Sequence, residues 1–250
     1  MILVEKIQIP ALPTKKPRRL YVYLPRGYDE TDERYPVLYM FDGHNVFYDS
    51  HATFGKSWGM KQYLDRTKQK LIVVAVESNR EGNRRIFEYS PWSFFAGRFG
   101  AIEGLGKVTM DWFTTDLKPE IDRCFRTMPD REHTLIAGSS MGGLMALYAV
   151  TAYNDVFSRA AALSPSPWIS MQEIKKCFSV PLKKPTRVYI DTGTGEANGH
   201  WQPMATMFNV AKLLNRAGAD VSANMIPGAE HNEAAWEKRI PDFFRYLLEL

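Results

Sequence analysis

A strand-length apolar run, Thr134-Leu135-Ile136-Ala137, leads directly into Gly138-Ser139-Ser140-Met141-Gly142, and then into Leu144-Met145-Ala146-Leu147-Tyr148-Ala149-Val150, a stretch of good helix formers. The five residues at the joint fit G-x-S-x-G, the pattern of a sharp strand-to-helix turn with a serine at its tip. Such a turn forces the serine into strained backbone angles and presses strand against helix, so side chains at Gly138 and Gly142 would collide. The helix then directs its free N–H groups and positive dipole end at whatever lies over Ser140. The pentapeptide alone is a common loop composition. The strand before it and the helix after it make Ser140 a candidate nucleophile rather than part of an ordinary glycine-rich turn.

The rest of the chain fits around this joint. Residues 1–10 read as an edge strand, and 19–24 alternate as a second strand. Residues 35–41 read as a central strand running into Asp42-Gly43-His44-Asn45, 58–66 as a helix, and 71–76 as a strand buried on both faces. Residues 78–106 show no clear period and are punctuated by glycine and proline; irregular stretches of that length are usually functional. A helix is expected over 110–125 despite Pro119. Strands follow at 157–163, 187–191 and 220–226, with helices at 171–177, at 203–215 (capped by Gly218), and from the 227–231 turn to residue 250. Strand and helix alternate from residue 35 onward. The expected fold is therefore α/β: a mostly parallel central sheet with helices on both faces and antiparallel N-terminal strands, forming one domain over residues 1–250. In such sheets ligands bind beyond the carboxyl ends of the strands, and Asp42–Asn45, Ser140, Glu196 and His231 all fall there.

Composition narrows the function classes. With 45% hydrophobic and 24% charged residues the chain is of ordinary globular type. The net charge of +4 is mild, and its basic residues are scattered over 15–19, 80–85 and 183–184, with no stripe interleaved with aromatics. That argues against nucleic acid as a partner. Cys124 and Cys177 form neither a disulfide framework nor a zinc pattern, and are expected to be small buried or half-buried residues in helices. The first ten residues lack the features of a signal peptide, and no apolar run reaches transmembrane length. The expected location is cytoplasmic, away from the membrane.

A serine hydroxyl needs a base to become a nucleophile, and histidine is the usual one. A carboxylate must then hold the imidazole tautomer and stabilise its charged form. After Ser140 only His200 and His231 occur. His231 stands in the turn after the last strand, where the base belongs; His200 would line the pocket or be exposed. Two acids compete. Asp191 ends its strand, while Glu196 stands in the loop beyond, which can carry a carboxylate over the rim; Glu196 is favoured and Asp191 is the alternative acid. Glu230 is too close to His231 in sequence to orient it, and is expected to be exposed. An oxyanion hole would take the N–H of Met141, directly after the nucleophile, and that of His44, with Gly43 permitting an unusual backbone angle. Trp58, Trp92, Trp168 and Trp201 fall in loops near the strand ends, where they could line an aromatic pocket or pack loops onto the body.

These residues make the chain resemble the esterase D-like family of α/β-hydrolases, which includes S-formylglutathione hydrolases, feruloyl and acetyl-xylan esterases, siderophore esterases and mycolyltransferases. The matching segments are 39–47 (YMFDGHNVF), 85–91 (RIFEYSP), 138–143 (GSSMGG), 163–166 (LSPS), 191–196 (DTGTGE) and 228–236 (GAEHNEAAW), in family order. The resemblance implies a triad of Ser140, Glu196 and His231, with main-chain oxyanion donors at His44 and Met141. In relatives with Asp-Gln-Gly at this strand end the acid lies three residues past the glycine, and Gly193 plus three is Glu196. It further implies no cofactor, no metal and no large lid. The expected activity is that of a serine carboxylesterase acting on small acyl or aromatic esters. The same triad would serve a siderophore (enterobactin-type) esterase or an acyltransferase. The non-enzyme alternative is a catalytically silent binding protein on a hydrolase fold. No substrate signature stands out: Glu-Tyr-Ser-Pro recurs across the family as a structural segment, so Arg84 and Arg85 are not counted as siderophore ligands.

Overall fold

In the computed structural model, which describes residues 1–95, 97, 100–197 and 202–248, the long apolar runs pair into one eight-stranded sheet. Strands β1 (Ile2–Ile7), β2 (Arg18–Tyr23), β3 (Val37–Met40), β4 (Ile72–Val76), β7 (Thr134–Ser139), β8 (Arg159–Leu163), β9 (Arg187–Gly193) and β10 (Asp220–Ile226) lie in the order β1-β2-β4-β3-β7-β8-β9-β10. The pairings β1–β2 and β2–β4 are antiparallel, and all others are parallel.

Alternation along the strands divides the core in two. Leu20, Val22, Tyr39, Val74, Ile136, Ala162 and Ile190 face one layer of helices. Tyr21, Tyr23, Met40, Val73, Ala137, Leu163 and Tyr189 face the other. The first layer holds α3 (Gly106–Trp112), α4 (Lys118–Cys124), α5 (Met141–Ala152), α6 (Met171–Phe178) and α7 (Gln202–Arg216). The second holds α1 (Met60–Thr67), α8 (Glu233–Glu237) and α9 (Ile240–Leu248). Helix α5 is apolar all round, and its residues Met141 to Val150 are all buried, as a helix enclosed by neighbours must be.

Several elements depart from expectation, each for a local reason. The helix expected over 110–125 starts at Gly106 and passes through a π-helical turn, Phe113–Leu117, before α4. Pro119 sits in the first turn of α4, and the wider π turn relieves the clash its ring would make with the preceding turn. The final helix is two helices, because Pro241 restarts the chain in the first turn of α9. The 78–106 stretch is not wholly irregular. It carries α2 (Arg84–Glu88) and a two-stranded ribbon of β5 (Phe94–Phe95) and β6 (Ala101–Ile102), both too short to show a sequence period. Cys124 is exposed, not buried: it ends α4 on the solvent side, whereas Cys177 in α6 is half-buried. No helix among the described residues is long and apolar enough to cross a membrane.

The sheet register sets up the site. Ser139 pairs with Leu163, and Leu163 with Asp191, so three neighbouring strands reach their carboxyl ends in one row. The chain therefore leaves β7 at Ser140 and β8 at Ser164 side by side.

Candidate active site

Ser140 occupies the joint of β7 and α5 at φ 57°, ψ −121°, a conformation that costs a non-glycine residue on the order of 1–3 kcal/mol. The surrounding backbone enforces it. The Ser140 N–H donates to the Leu163 carbonyl at 2.9 Å, and its own carbonyl accepts from the N–H groups of Leu144 and Ser166, each at 3.1 Å. A Cβ on Gly138 would lie 2.5 Å from the Gly142 carbonyl carbon, so strand and helix touch backbone to backbone. Ser140 is half-buried, and the hydrogen-bond partner of its hydroxyl among the described residues is Ser166 Oγ, at 3.3 Å. Met141 opens α5, so its N–H is one of the first-turn donors without an intrahelical acceptor.

The loop after β3 lies against the start of α5. Residues Gly43–Asn45 make a single 3-10 turn with His44 at its centre. The strained angle lies one residue before the expected one: Asp42 takes the left-handed conformation (φ 56°), while Gly43 is required for space. A Cβ on Gly43 would stand 2.5 Å from the Ala75 carbonyl oxygen of β4. Asp42 can hold its angle because its carboxylate is gripped from several sides. Arg85 donates to both its oxygens (2.7 and 2.6 Å), Ser78 Oγ donates at 2.8 Å, and the Asp42 N–H reaches Tyr89 Oη at 3.0 Å. Burial opposes ionisation of Asp42, but the Arg85 guanidinium outweighs it and holds the carboxyl below its ordinary value. Arg85 is thereby committed to the loop, and Arg84 points to Thr14 Oγ1 at 3.2 Å. A Cβ on Gly142 would come within 3.3 Å of Asp42 Oδ2, which brings this loop against the start of α5. The His44 side chain is buried, with Nε2 3.0 Å from Thr53 Oγ1, and burial pushes its pKa below the ordinary imidazole value.

His231 stands in the turn between β10 and α8, its ring edge-on to Trp236 with centroids 5.1 Å apart. Its Nδ1 lies 2.9 Å from Glu196 Oε2. Two hydrogen bonds join the loops that carry the pair: the Gly195 N–H to the Ala229 carbonyl (3.0 Å) and the Gly228 N–H to Thr194 Oγ1 (2.8 Å). The approach is so close that a Cβ on Gly193 would sit 2.0 Å from the Ala229 oxygen. Burial disfavours the Glu196 carboxylate, but hydrogen bonds from His231, Ser164 and the Gly193 N–H prevail and hold its pKa below the ordinary value. An ionised carboxylate only accepts, so Nδ1 carries the proton and Nε2 of a neutral imidazole is left with its lone pair.

Asp191 does not reach His231. It is fully buried at the end of β9, where it accepts from Arg239 Nη1 (2.9 Å), Tyr189 Oη (3.1 Å) and the Ser164 N–H (3.2 Å). Burial pushes its carboxyl up to about 6 against the opposing pull of Arg239. Of the two candidate acids, the one in the loop faces the imidazole and the one on the strand serves the interior.

The tryptophans separate. Trp58 is 3% exposed and packs on Trp236 at 5.9 Å between ring centroids, so it lies beneath the histidine and not in an open pocket. Trp92 is half-buried, edge-on to Tyr148 of α5, where it pins its loop to the body. Trp168, two residues beyond Ser166, is 70% exposed. His200 and Trp201 lie outside the described residues. Glu230 is exposed. Among the described residues no group of three or more His, Cys, Asp or Glu side chains is placed to hold a metal ion.

Three contacts at the site involve residues that sequence reasoning did not single out. Asn45 Nδ2 donates to buried Glu233 Oε1 at 2.9 Å, tying the His44 loop to the helix that follows His231. Ser164 and Arg239 meet Glu196 from behind. Ser164 had a signal, its position in Leu-Ser-Pro-Ser at a strand end. Arg239 had none, since nothing local distinguishes it from a solvated helix arginine.

A family model described as "Putative esterase" matches residues 13–247. The chain is 23% identical over 204 residues to the uncharacterized protein YbbA of Bacillus subtilis, covering 80% of this chain and 77% of that one. It is 28% identical over 232 residues to an endo-1,4-beta-xylanase/feruloyl esterase of Xylanibacter ruminicola, covering 90% of this chain but only 28% of that larger protein. Among solved structures, an IroE-like serine hydrolase from Shewanella oneidensis superposes with a TM-score of 0.78 at 19% identity, over 100% of this chain and 80% of that one. A ferulic acid esterase superposes with a TM-score of 0.72 at 17% identity, over 100% and 98%. At these identities the structural matches establish the α/β fold.

Proposed function

The chain belongs to this esterase family and is a carboxylic-ester hydrolase, and we propose that it works as one α/β-hydrolase domain through an acyl-enzyme on Ser140. The observation that carries this reading is the 2.9 Å contact of His231 Nδ1 with Glu196, at the sheet end where Ser140 is held in a strained turn. His231 Nε2 takes the Ser140 proton as Oγ attacks the ester carbonyl carbon. The carbonyl oxygen, now negative, is met by the N–H groups of Met141 and His44. His231 passes the proton to the departing alkoxide, leaving the acyl group on Ser140. It then takes a proton from a water as that water attacks the acyl carbon, and returns the proton to Ser140 Oγ as the bond between Oγ and the acyl carbon breaks, which releases the acid and restores the enzyme. Glu196 stays ionised throughout and stabilises the imidazolium formed in each half.

Small acyl or aromatic esters suit the surroundings. Trp168, 70% exposed, follows two residues after Ser166, whose hydroxyl meets that of Ser140, and Phe54, 82% exposed, follows Thr53, whose hydroxyl meets the His44 ring. Exposed aromatic side chains on these two loops would suit a flat acyl or aryl group, and the name of the Xylanibacter ruminicola relative supports the same class.

Ser140→Ala tests the reaction. Hydrolysis of p-nitrophenyl acetate falls by at least about 10^4-fold with the circular dichroism spectrum unchanged; full residual turnover overturns the assignment. Trp168→Ala tests the substrate class. In a panel of p-nitrophenyl esters, KM for aryl acyl groups rises about 2- to 10-fold while that for acetate holds; an equal change for both removes Trp168 from substrate recognition.

A further inference from the structure

We propose that Ser164 and Arg239 are the positioning residues of the acid–base pair, holding one oxygen of Glu196 so that the other faces His231. The proposal rests on the triad reading above and deepens it. Glu196 uses its two oxygens differently. Oε2 faces His231, while Oε1 accepts from Ser164 Oγ (2.5 Å), the Gly193 N–H (2.7 Å) and Arg239 Nη2 (3.3 Å). Three donors from three segments of the chain hold one oxygen and His231 meets the other, so rotating the carboxylate breaks at least one of these bonds.

The direction of the Ser164 bond follows from its neighbours. Its hydroxyl is approached by Trp236 Nε1 (3.1 Å) and Arg239 Nη1 (2.8 Å), and both groups can only donate. The Ser164 proton is therefore left to Glu196, and every hydrogen-bonding capacity of the hydroxyl is used. The same residue has a left-handed backbone (φ 45°), unusual for serine, and its N–H is bound to Asp191. The fold bears local strain to place a hydroxyl that faces the acid and is closed to solvent.

Arg239 connects the parts. It is 1% exposed, and its two terminal nitrogens reach Ser164, Asp191, Glu196 and the carbonyl of Glu230, the residue just before His231. One guanidinium thus spans the acid, the serine behind it and the base of the histidine turn. Asp191 supplies the buried counter-charge that keeps Arg239 in place. Trp236, which donates to Ser164, also backs the His231 ring.

Ser164→Gly is the cleanest variant, because glycine accepts the left-handed backbone and removes only the hydroxymethyl group. The double variant Asp191→Asn/Arg239→Met removes the guanidinium without leaving a lone buried charge. Both are measured with p-nitrophenyl acetate and by proton NMR of the imidazole N–H that bonds Glu196. Each should lower kcat about 10- to 100-fold with KM within about twofold, the range expected for losing a hydrogen bond to a charged group. In each the downfield N–H resonance should broaden or move upfield, while Ser164→Gly melts within a few degrees of the wild type. Unchanged kcat in either variant, or a fall in kcat with that resonance unmoved, overturns the proposal. Ser140→Ala run in parallel keeps the two readings apart: turnover surviving in Ser140→Ala rejects the triad itself. An inactive Ser140→Ala beside a fully active Ser164→Gly rejects only the positioning role.

Discussion

Two serines leave neighbouring strands at the same level of the sheet, both with positive φ (57° at Ser140, 45° at Ser164), and they have opposite surroundings. Ser164 is buried, with its hydroxyl saturated by Glu196, Trp236 and Arg239. Ser140 is half-buried, and among the described residues its hydroxyl is met by Ser166 Oγ, at 3.3 Å. Backbone strain alone therefore does not mark a nucleophile. What separates the two is the number of donors and acceptors already committed to the hydroxyl. A saturated hydroxyl can only hold another group in place; one with spare capacity, at the start of a helix whose N–H groups are free, can attack. Glu196 links them, since one of its oxygens faces Ser164 and the other faces the histidine assigned to Ser140.

Removing the hydroxyl of Ser140 should cost the full catalytic step, and removing that of Ser164 only the smaller factor given above. Replacing their shared neighbour falls between: Glu196→Gln leaves the shape but removes the charge that stabilises the imidazolium, and should lower kcat by about 10^3-fold. Asp191→Asn, five residues earlier, should keep kcat within about tenfold, because Asp191 faces Arg239 and not His231. Equal losses in the two variants would mean that the strand-end acid works on the histidine after all.

The smallest effect is on stability. The folded pKa of Glu196 lies below its unfolded value, so its carboxylate stabilises the fold above the ordinary carboxylate range, and that contribution is lost as pH falls through the folded value. Glu196→Gln should therefore melt below the wild type at pH 6, and the gap should close on titration toward pH 3. A gap that widens on acidification would contradict the bonding assigned to Oε1 and Oε2.

Much of this arrangement is legible in the chain, for reasons that differ by residue. Ser140 is readable because G-x-S-x-G, a strand and a helix are contiguous, so the tip of the turn follows from local sterics. His231 and Glu196 are readable because topology sends the ends of successive parallel strands to one edge. The choice between Glu196 and Asp191 needed coordinates, since it depends on how closely Gly193 lets the Ala229 backbone approach. The sequence points to Gly43 and not to Asp42 as the strained residue for a similar reason: the glycine is there for Ala75 of a different strand, and the left-handed angle is held by Arg85 from 43 residues away. Arg239 was hidden because its partners, Ser164, Asp191 and Glu196, are brought together only when β8, β9 and the C-terminal helices pack. The tryptophans divided by burial, which spacing does not encode.

Of the two serines, Ser140 should be the one that reacts. Treatment with a fluorophosphonate probe, followed by peptide mass spectrometry, tests it directly. One adduct is expected, on the peptide carrying Ser140, absent from Ser140→Ala and formed more slowly in Ser164→Gly. An adduct on Ser164, or none on Ser140 in the wild type, would contradict it.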